Sequence, residues 1–233
     1  MIRPAAPRVI VIPDSRWEKG TDLFSVENKS VPFSRIEALA MAALAGGADA
    51  IQLRAKGMPG PDLAALGRRL VAACRERGAL FFVNDDAAAA LACGADGVHV
   101  GPGDSAPAVA RQLLGECGLV GVSVYTAADL ARAEAARADY VAVGAVYPTA
   151  TKVINVVGLE GVRRLRAATR LPIIAIGGID AENAAAAIEA GADGVAVISA
   201  VSGAEDPEAA TRELCDRVRD ALGKRGQIYF PGK

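Results

Sequence analysis

Six charged side chains in this chain of 233 residues stand where a short apolar run gives way to polar residues. They are Arg54 and Lys56 after "AIQL", Asp85 and Asp86 after "LFFVN", Asp104 just past "GVHVG", and Lys152 in "YPTATK". Carboxylates without a histidine or cysteine among them suit a hard cation, and Mg²⁺ is usually held by a few carboxylates together with water and substrate phosphate. The cations nearby suit the charge a diphosphate would still carry, so the expected ligand is an Mg²⁺-bridged polyphosphate. A second anion site is suggested by "IGGIDAEN" and "ISAVSG", where Gly177 and Gly178 allow close backbone approach and Ser199 offers a hydroxyl. Gln52, Asn84, Gly101, Ser123, Thr149, Thr151 and Ile198 occupy the same kind of position, at or just past the end of an apolar run. Two anion sites imply two small phosphorylated substrates.

Other signals carry less. "GPGDSA" from Gly101 has the G-x-G-x-x-A spacing of a dinucleotide site, but no acidic residue ends the next apolar run, "LVGVSV", where a ribose would need one. His99 is the only histidine and sits inside an apolar run; without a partner in sequence it reads as a core or hydrogen-bonded residue rather than a general base. Cys74, Cys93, Cys117 and Cys215 show no C-x-x-C spacing, which argues for reduced packing thiols and against zinc or disulfides.

The elements that must position these residues follow from the same apolar runs. "RVIVIP", "ADAIQLR", "ALFFVND", "ADGVHVG", "LVGVSV", "ADYVAVGAV", "PIIAIGG" and "ADGVAVIS" alternate with alanine-rich helical stretches, several of which end in glycine. Several runs are apolar on both faces, as strands of a helix-covered parallel sheet are. Every second run opens with an Ala-Asp pair: Ala48-Asp49, Ala95-Asp96, Ala138-Asp139 and Ala192-Asp193. The repeating unit is therefore two strand-helix modules, and four units predict a single-domain (β/α)₈ (TIM) barrel over residues 1–233, with a flexible tail from about residue 224. In such a barrel the active site lies at the C-terminal ends of the strands, where the polar residues above fall.

Net charge is −1 with no basic run, which argues against a nucleic-acid or membrane surface. Charged and polar residues interrupt the apolar runs too often for a bilayer span, and the opening "MIRPAAPRVIVIPDSR" has too short an apolar core for a secretory signal. The expected location is the cytoplasm; the sequence fixes no oligomeric state.

The motifs "QLRAK", "FFVNDD", "GADGVHVG" with Asp104, "GVS", "PTATK", "AIGGI" and "GVAVIS" occur in an order and at spacings that resemble the thiamine phosphate synthases, from "IQLRAKG" to "VISAVSGAEDP". The resemblance implies a transferase of thiamine biosynthesis that joins a hydroxymethylpyrimidine diphosphate to a thiazole phosphate, giving thiamine phosphate and pyrophosphate. It implies that Gln52, Leu53, Arg54, Ala55 and Lys56, with Asn84, Ser123 and Lys152, hold the pyrimidine diphosphate. Asp85 and Asp104 would ligate one Mg²⁺, and Thr149, Ala150 and Thr151, with Gly178, Ile198 and Ser199, would hold the thiazole phosphate. Arg54, Lys152 and Ser123 would carry the catalysis.

The chain departs from that family's pattern at Pro102, Tyr125, Ala145 and Val153, and in a longer first loop, "DLFSVENKSVPFS". Two other readings compete: an isomerase resembling thiazole tautomerases, whose acid-base histidine would fall at Tyr125, and a barrel that binds thiamine precursors without turnover.

Overall fold

The eight runs become strands because Val, Ile and small residues fill both faces of a sheet that helices cover. In chain order they are β1 (Val9–Val11), β2 (Ala50–Leu53), β3 (Leu80–Asn84), β4 (Gly97–Val100), β5 (Leu119–Ser123), β6 (Tyr140–Val143), β7 (Ile173–Ile176) and β8 (Gly194–Val197). The strands β1 to β7 are followed in turn by α1 (Pro32–Ala45), α2 (Gly60–Glu76), α3 (Ala87–Cys93), α4 (Pro107–Leu114), α5 (Ala127–Ala135), α6 (Gly158–Ala168) and α7 (Ala184–Glu189). After β8 come α8 (Ser199–Ser202) and α9 (Pro207–Ile228). Neighbouring strands pair in parallel and β8 closes onto β1, which is the expected (β/α)₈ barrel. The computed structural model describes residues 6–14, 32–101, 104–149 and 156–228, with the backbone alone at 32–34 and 226–228. Among the described residues no helix is long and apolar enough to cross a membrane.

Alternation along each strand sorts the side chains into two cores. Val9, Val11, Ile51, Leu53, Phe81 and Val83 point outward into the layer beneath the helices, against Leu66, Leu70 and their like. Ile10, Ile12, Ala50, Phe82, Tyr140, Ala142, Ile174 and Ala196 point into the barrel. The inward register also carries Gln52, Asn84, His99 and Ser123, which pair across the sheet with Phe82, His99, Gly121 and Ala142 respectively.

The Ala-Asp pairs mark a girdle at the other end of the barrel. The carboxylates of Asp49, Asp96 and Asp139 each accept the amide of a residue in the preceding strand, Val9, Phe81 and Val120, at 2.8 Å, and Asp193 accepts that of Ile173 at 2.9 Å. Each aspartate returns its own amide to the carbonyl of the same residue. Arg111 on α4 then joins Asp139 to the carbonyls of Gly115, Gly118 and Arg137, and Arg166 on α6 joins Asp193 to those of Thr169 and Leu171. Hydrogen bonds to charged groups contribute about 1.5–3 kcal/mol each. The repeat legible in the sequence is thus a stabilising device on the face opposite the strand ends.

Candidate active site

A pocket opens at the C-terminal ends of the strands, and the residues at its rim come from loops that the local sequence holds in place. After β3 the chain turns at once: the Asp86 amide donates to the Asn84 carbonyl at 2.9 Å around Asp85, whose φ is +70°. A one-residue turn of this hand is strained for a side-chain-bearing residue, and strain of this kind collects at functional sites. It turns the Asp85 side chain into the pocket, while Asp86 caps α3 by accepting the Ala89 amide at 2.8 Å. Asp86 therefore belongs to the scaffold and leaves the carboxylate cluster as a pair. Its partner, Asp104, accepts the Gly101 amide at 3.0 Å. Burial first, then the hydrogen bond and charge of Asp104, together push the Asp85 carboxyl up to about 6 against the opposing charge of Lys56, 3.4 Å away.

The pyrimidine side of the rim, as the sequence assigns it, is built from β2 to β5. Gln52 is 3% exposed and donates through Nε2 to Asn84 Oδ1 at 2.8 Å, which leaves the Asn84 amide nitrogen as a donor for the pocket. Arg54, Lys56 and Ser123 also line it. Leu53 is fully buried in the outer core and Ala55 packs against that core, so neither side chain faces the pocket and only their backbone is available to a ligand. Tyr125 is 42% exposed at the mouth; its amide and that of Thr126 are held by Asp129 in the capping box of α5.

On the opposite side, Thr149, Gly178, Ile198 and Ser199 line the same pocket. The loop after β6 lies over the end of β7, with Val146 and Tyr147 donating to the carbonyls of Ile176 and Gly177 at 3.0 and 2.9 Å. A Cβ on Gly177 would stand 2.7 Å from Ala145 Cα, and one on Gly178 would stand 2.6 Å from the Pro148 carbonyl; both residues have positive φ. The sequence suggests these glycines serve a phosphate, whereas the geometry shows that they first admit this loop. Ala150, Thr151 and Lys152, with Pro102 and Val153, lie outside the described residues.

The pocket also reaches residues that the sequence reading did not assign to it. Its floor is apolar, formed by Ile10, Ile12, Ala142, Ile174, Ile176 and Ala196, and His99 and Tyr140 rise from it. His99 is hydrogen-bonded through both ring nitrogens, to Tyr140 and to Ser123. Cysteine chemistry has no place here: no cysteine lines the pocket, and burial pushes Cys74 up to about 12 and Cys215 to about 11. Among the described residues no group of three or more His, Cys, Asp or Glu side chains is arranged to hold a metal ion.

Fold and site together define a (β/α)₈ barrel whose strand ends combine cations, a carboxylate pair and an apolar floor in one pocket. The family model for thiamine monophosphate synthase matches residues 24–201. The thiamine-phosphate synthase of Moorella thermoacetica is 50% identical over 188 residues, covering 80% of this chain and 90% of that protein. That of Pyrococcus furiosus is 45% identical over 182 residues, covering 78% and 87%. A solved structure of thiamine phosphate pyrophosphorylase from Pyrococcus furiosus superposes with a TM-score of 0.79 at 39% identity, covering 93% of this chain and 97% of that one. The chain belongs to the thiamine monophosphate synthase family, as its motifs lead one to expect.

Proposed function

We propose that this chain is a transferase that joins 4-amino-2-methyl-5-hydroxymethylpyrimidine diphosphate to a thiazole phosphate. The bond between the pyrimidine methylene and the diphosphate oxygen breaks, the diphosphate leaves with the electron pair, and the thiazole nitrogen bonds to the methylene, giving thiamine phosphate. The observation that carries this reading is that one pocket gathers Arg54, Lys56, Asn84 and the Asp85–Asp104 pair on one side and Thr149, Gly178 and Ser199 on the other, above an apolar floor.

The chemistry follows from charge. Negative charge grows on the departing diphosphate, and Arg54 and Lys152 are assigned to meet it there, with Asn84 and Ser123 donating hydrogen bonds. The methylene left behind is electron-poor and would be captured by water. Ile10, Ile12, Ala142 and Ile174 line the floor and keep water from it. Asp85 and Asp104 would hold one Mg²⁺. The fit is supported by two carboxylates that meet in the pocket beside one lysine: burial first, then the hydrogen bond and charge of Asp104, raises the Asp85 carboxyl, and Lys56 offsets this only in part. When bound, Mg²⁺ supplies neutralisation of diphosphate charge. With two protein carboxylates, its other ligands would be water and substrate oxygens. The workplace proposed is the cytoplasm, supported by the four unpaired cysteines.

The test is direct. Purified protein with both substrates and Mg²⁺ should form thiamine phosphate, read by mass, and omission of either substrate should abolish it. No condensation, with rapid thiazole tautomerisation instead, would replace this reading with the isomerase.

A further inference from the structure

A chain of hydrogen bonds runs from the floor of the pocket to its rim, and two of its three members have no role in the reaction just described. Tyr140, at the start of β6, is 1% exposed, and its hydroxyl lies 3.1 Å from His99 Nδ1. His99 Nε2 lies 2.9 Å from Ser123 Oγ. The imidazole also stacks on the Tyr140 ring, with centroids 5.6 Å apart and planes at 26°. All three side chains line the pocket.

The direction of these bonds follows from what each group can give. Burial, with the charge of Asp139 adding to it, holds the Tyr140 phenol far above its ordinary pKa, so it keeps its proton. A buried hydroxyl left without an acceptor is costly, and among the described residues His99 Nδ1 stands within hydrogen-bond distance. Nδ1 therefore accepts, the neutral ring carries its proton on Nε2, and Nε2–H donates to Ser123 Oγ. The Ser123 proton is then left for the pocket. With the other tautomer Ser123 would donate to the ring and turn only lone pairs toward an anion.

We infer that Tyr140 and His99 are positioning residues that set the polarity of Ser123, so that its hydroxyl offers a proton, not a lone pair, to the diphosphate. The inference rests on the proposed reading of the pocket for the identity of that anion.

Because the chain has a single histidine, its tautomer can be read without ambiguity. Tag-free protein labelled with ¹⁵N should give, in long-range ¹H–¹⁵N correlation spectra at neutral pH, an imidazole with Nδ1 as the unprotonated nitrogen and Nε2 protonated. A ring protonated on Nδ1 overturns the inference whatever the activity. Tyr140→Phe should mix the tautomers and weaken binding of inorganic pyrophosphate about three- to tenfold, the scale of one neutral hydrogen bond. In a Ser123→Ala background the same substitution should weaken it no further, and His99→Gln, whose amide can still donate to Ser123, should bind better than His99→Leu. Additive losses from Tyr140→Phe and Ser123→Ala would also overturn the inference. A wild-type protein with the Nε2–H tautomer and coupled pyrophosphate binding, yet forming no thiamine phosphate, would count against the proposed reaction and leave the hydrogen-bond direction standing.

Discussion

Replacing Gly121 by alanine tests the floor of the pocket, because β5 and β6 touch there through a missing side chain. A Cβ at Gly121 would stand 2.5 Å from Tyr140 Cε1 and closer still to Cζ and Oη. Carbon atoms pack best at about 3.5–4.0 Å, so the ring would have to move by roughly 1–1.5 Å. It has little room, since it is 1% exposed and meets Phe82 edge-on with ring centroids 5.7 Å apart. Overpacking of this kind costs about 1–3 kcal/mol, and a displaced Tyr140 hydroxyl that loses His99 adds about 1 kcal/mol. A total of about 3 kcal/mol should lower the midpoint by roughly 6–12 °C in a chain of this size. Thermal unfolding followed by circular dichroism measures it, with Gly223→Ala as the control. Gly223 lies within α9 with nothing within 4 Å of its missing Cβ, so that change should stabilise by up to about 1 kcal/mol. Shrinking the neighbour, in Gly121→Ala/Tyr140→Leu, should give a protein more stable than the two single losses predict. A Gly121→Ala midpoint within about 2 °C of wild type would show that Tyr140 is not pinned against β5, and the account of the floor would fall.

Three further outcomes separate the parts of the molecule. Asp85→Asn keeps shape but removes the negative charge of a proposed Mg²⁺ ligand, so condensation should fall about 10²-fold or more and recover in part with excess Mg²⁺; unchanged activity insensitive to chelator would dispose of the proposed metal pair. Ser199→Ala should raise KM for the thiazole phosphate by about tenfold or less with kcat nearly unchanged, since one neutral hydrogen bond to a bound phosphate is lost; a selective rise in the other substrate's KM would mean the two sides of the rim are interchanged. Asp193→Ala removes the acceptor for Ile173, Arg166 and Arg225 on the far face. It should cost about 2–4 kcal/mol in urea unfolding while the folded enzyme keeps kcat within about twofold, and a large kcat loss would contradict the separation of the two faces.

How much of this was legible in the sequence depends on which end of a strand a residue occupies. Arg54, Asp85, Asp104 and Ser199 stand where apolar runs end, and a barrel exposes those points on one rim, so composition alone exposes them. Asp86 looked equal to Asp85 because sequence carries no φ angle; only the turn at Asp85 sends one carboxylate to the pocket and the next to the start of α3. Tyr140 and His99 were hidden for a different reason. In a strand apolar on both faces, alternation does not say which face looks inward, so His99 reads as a core or hydrogen-bonded residue and nothing singles out Tyr140.

The missing parity was present in the Ala-Asp repeat. Each aspartate turns its carboxylate to the preceding strand, and the residue after it faces the barrel interior: Ala50, Gly97, Tyr140 and Gly194 occupy that position. Two residues further on the inward set is Gln52, His99, Ala142 and Ala196, and two beyond that it is Arg54, Gly101, Gly144 and Ile198; all eight line the pocket. In the lowest set alanine and two glycines leave the space that the tyrosine fills, which is why Tyr140 alone of those four reaches the pocket. The hydrogen-bond chain from Tyr140 through His99 to Ser123 therefore climbs through successive inward positions, from the one bulky residue in the lowest set to the rim. A repeat whose aspartates stabilise the closed end thus also sets, by strand parity, which side chains line the pocket at the open one.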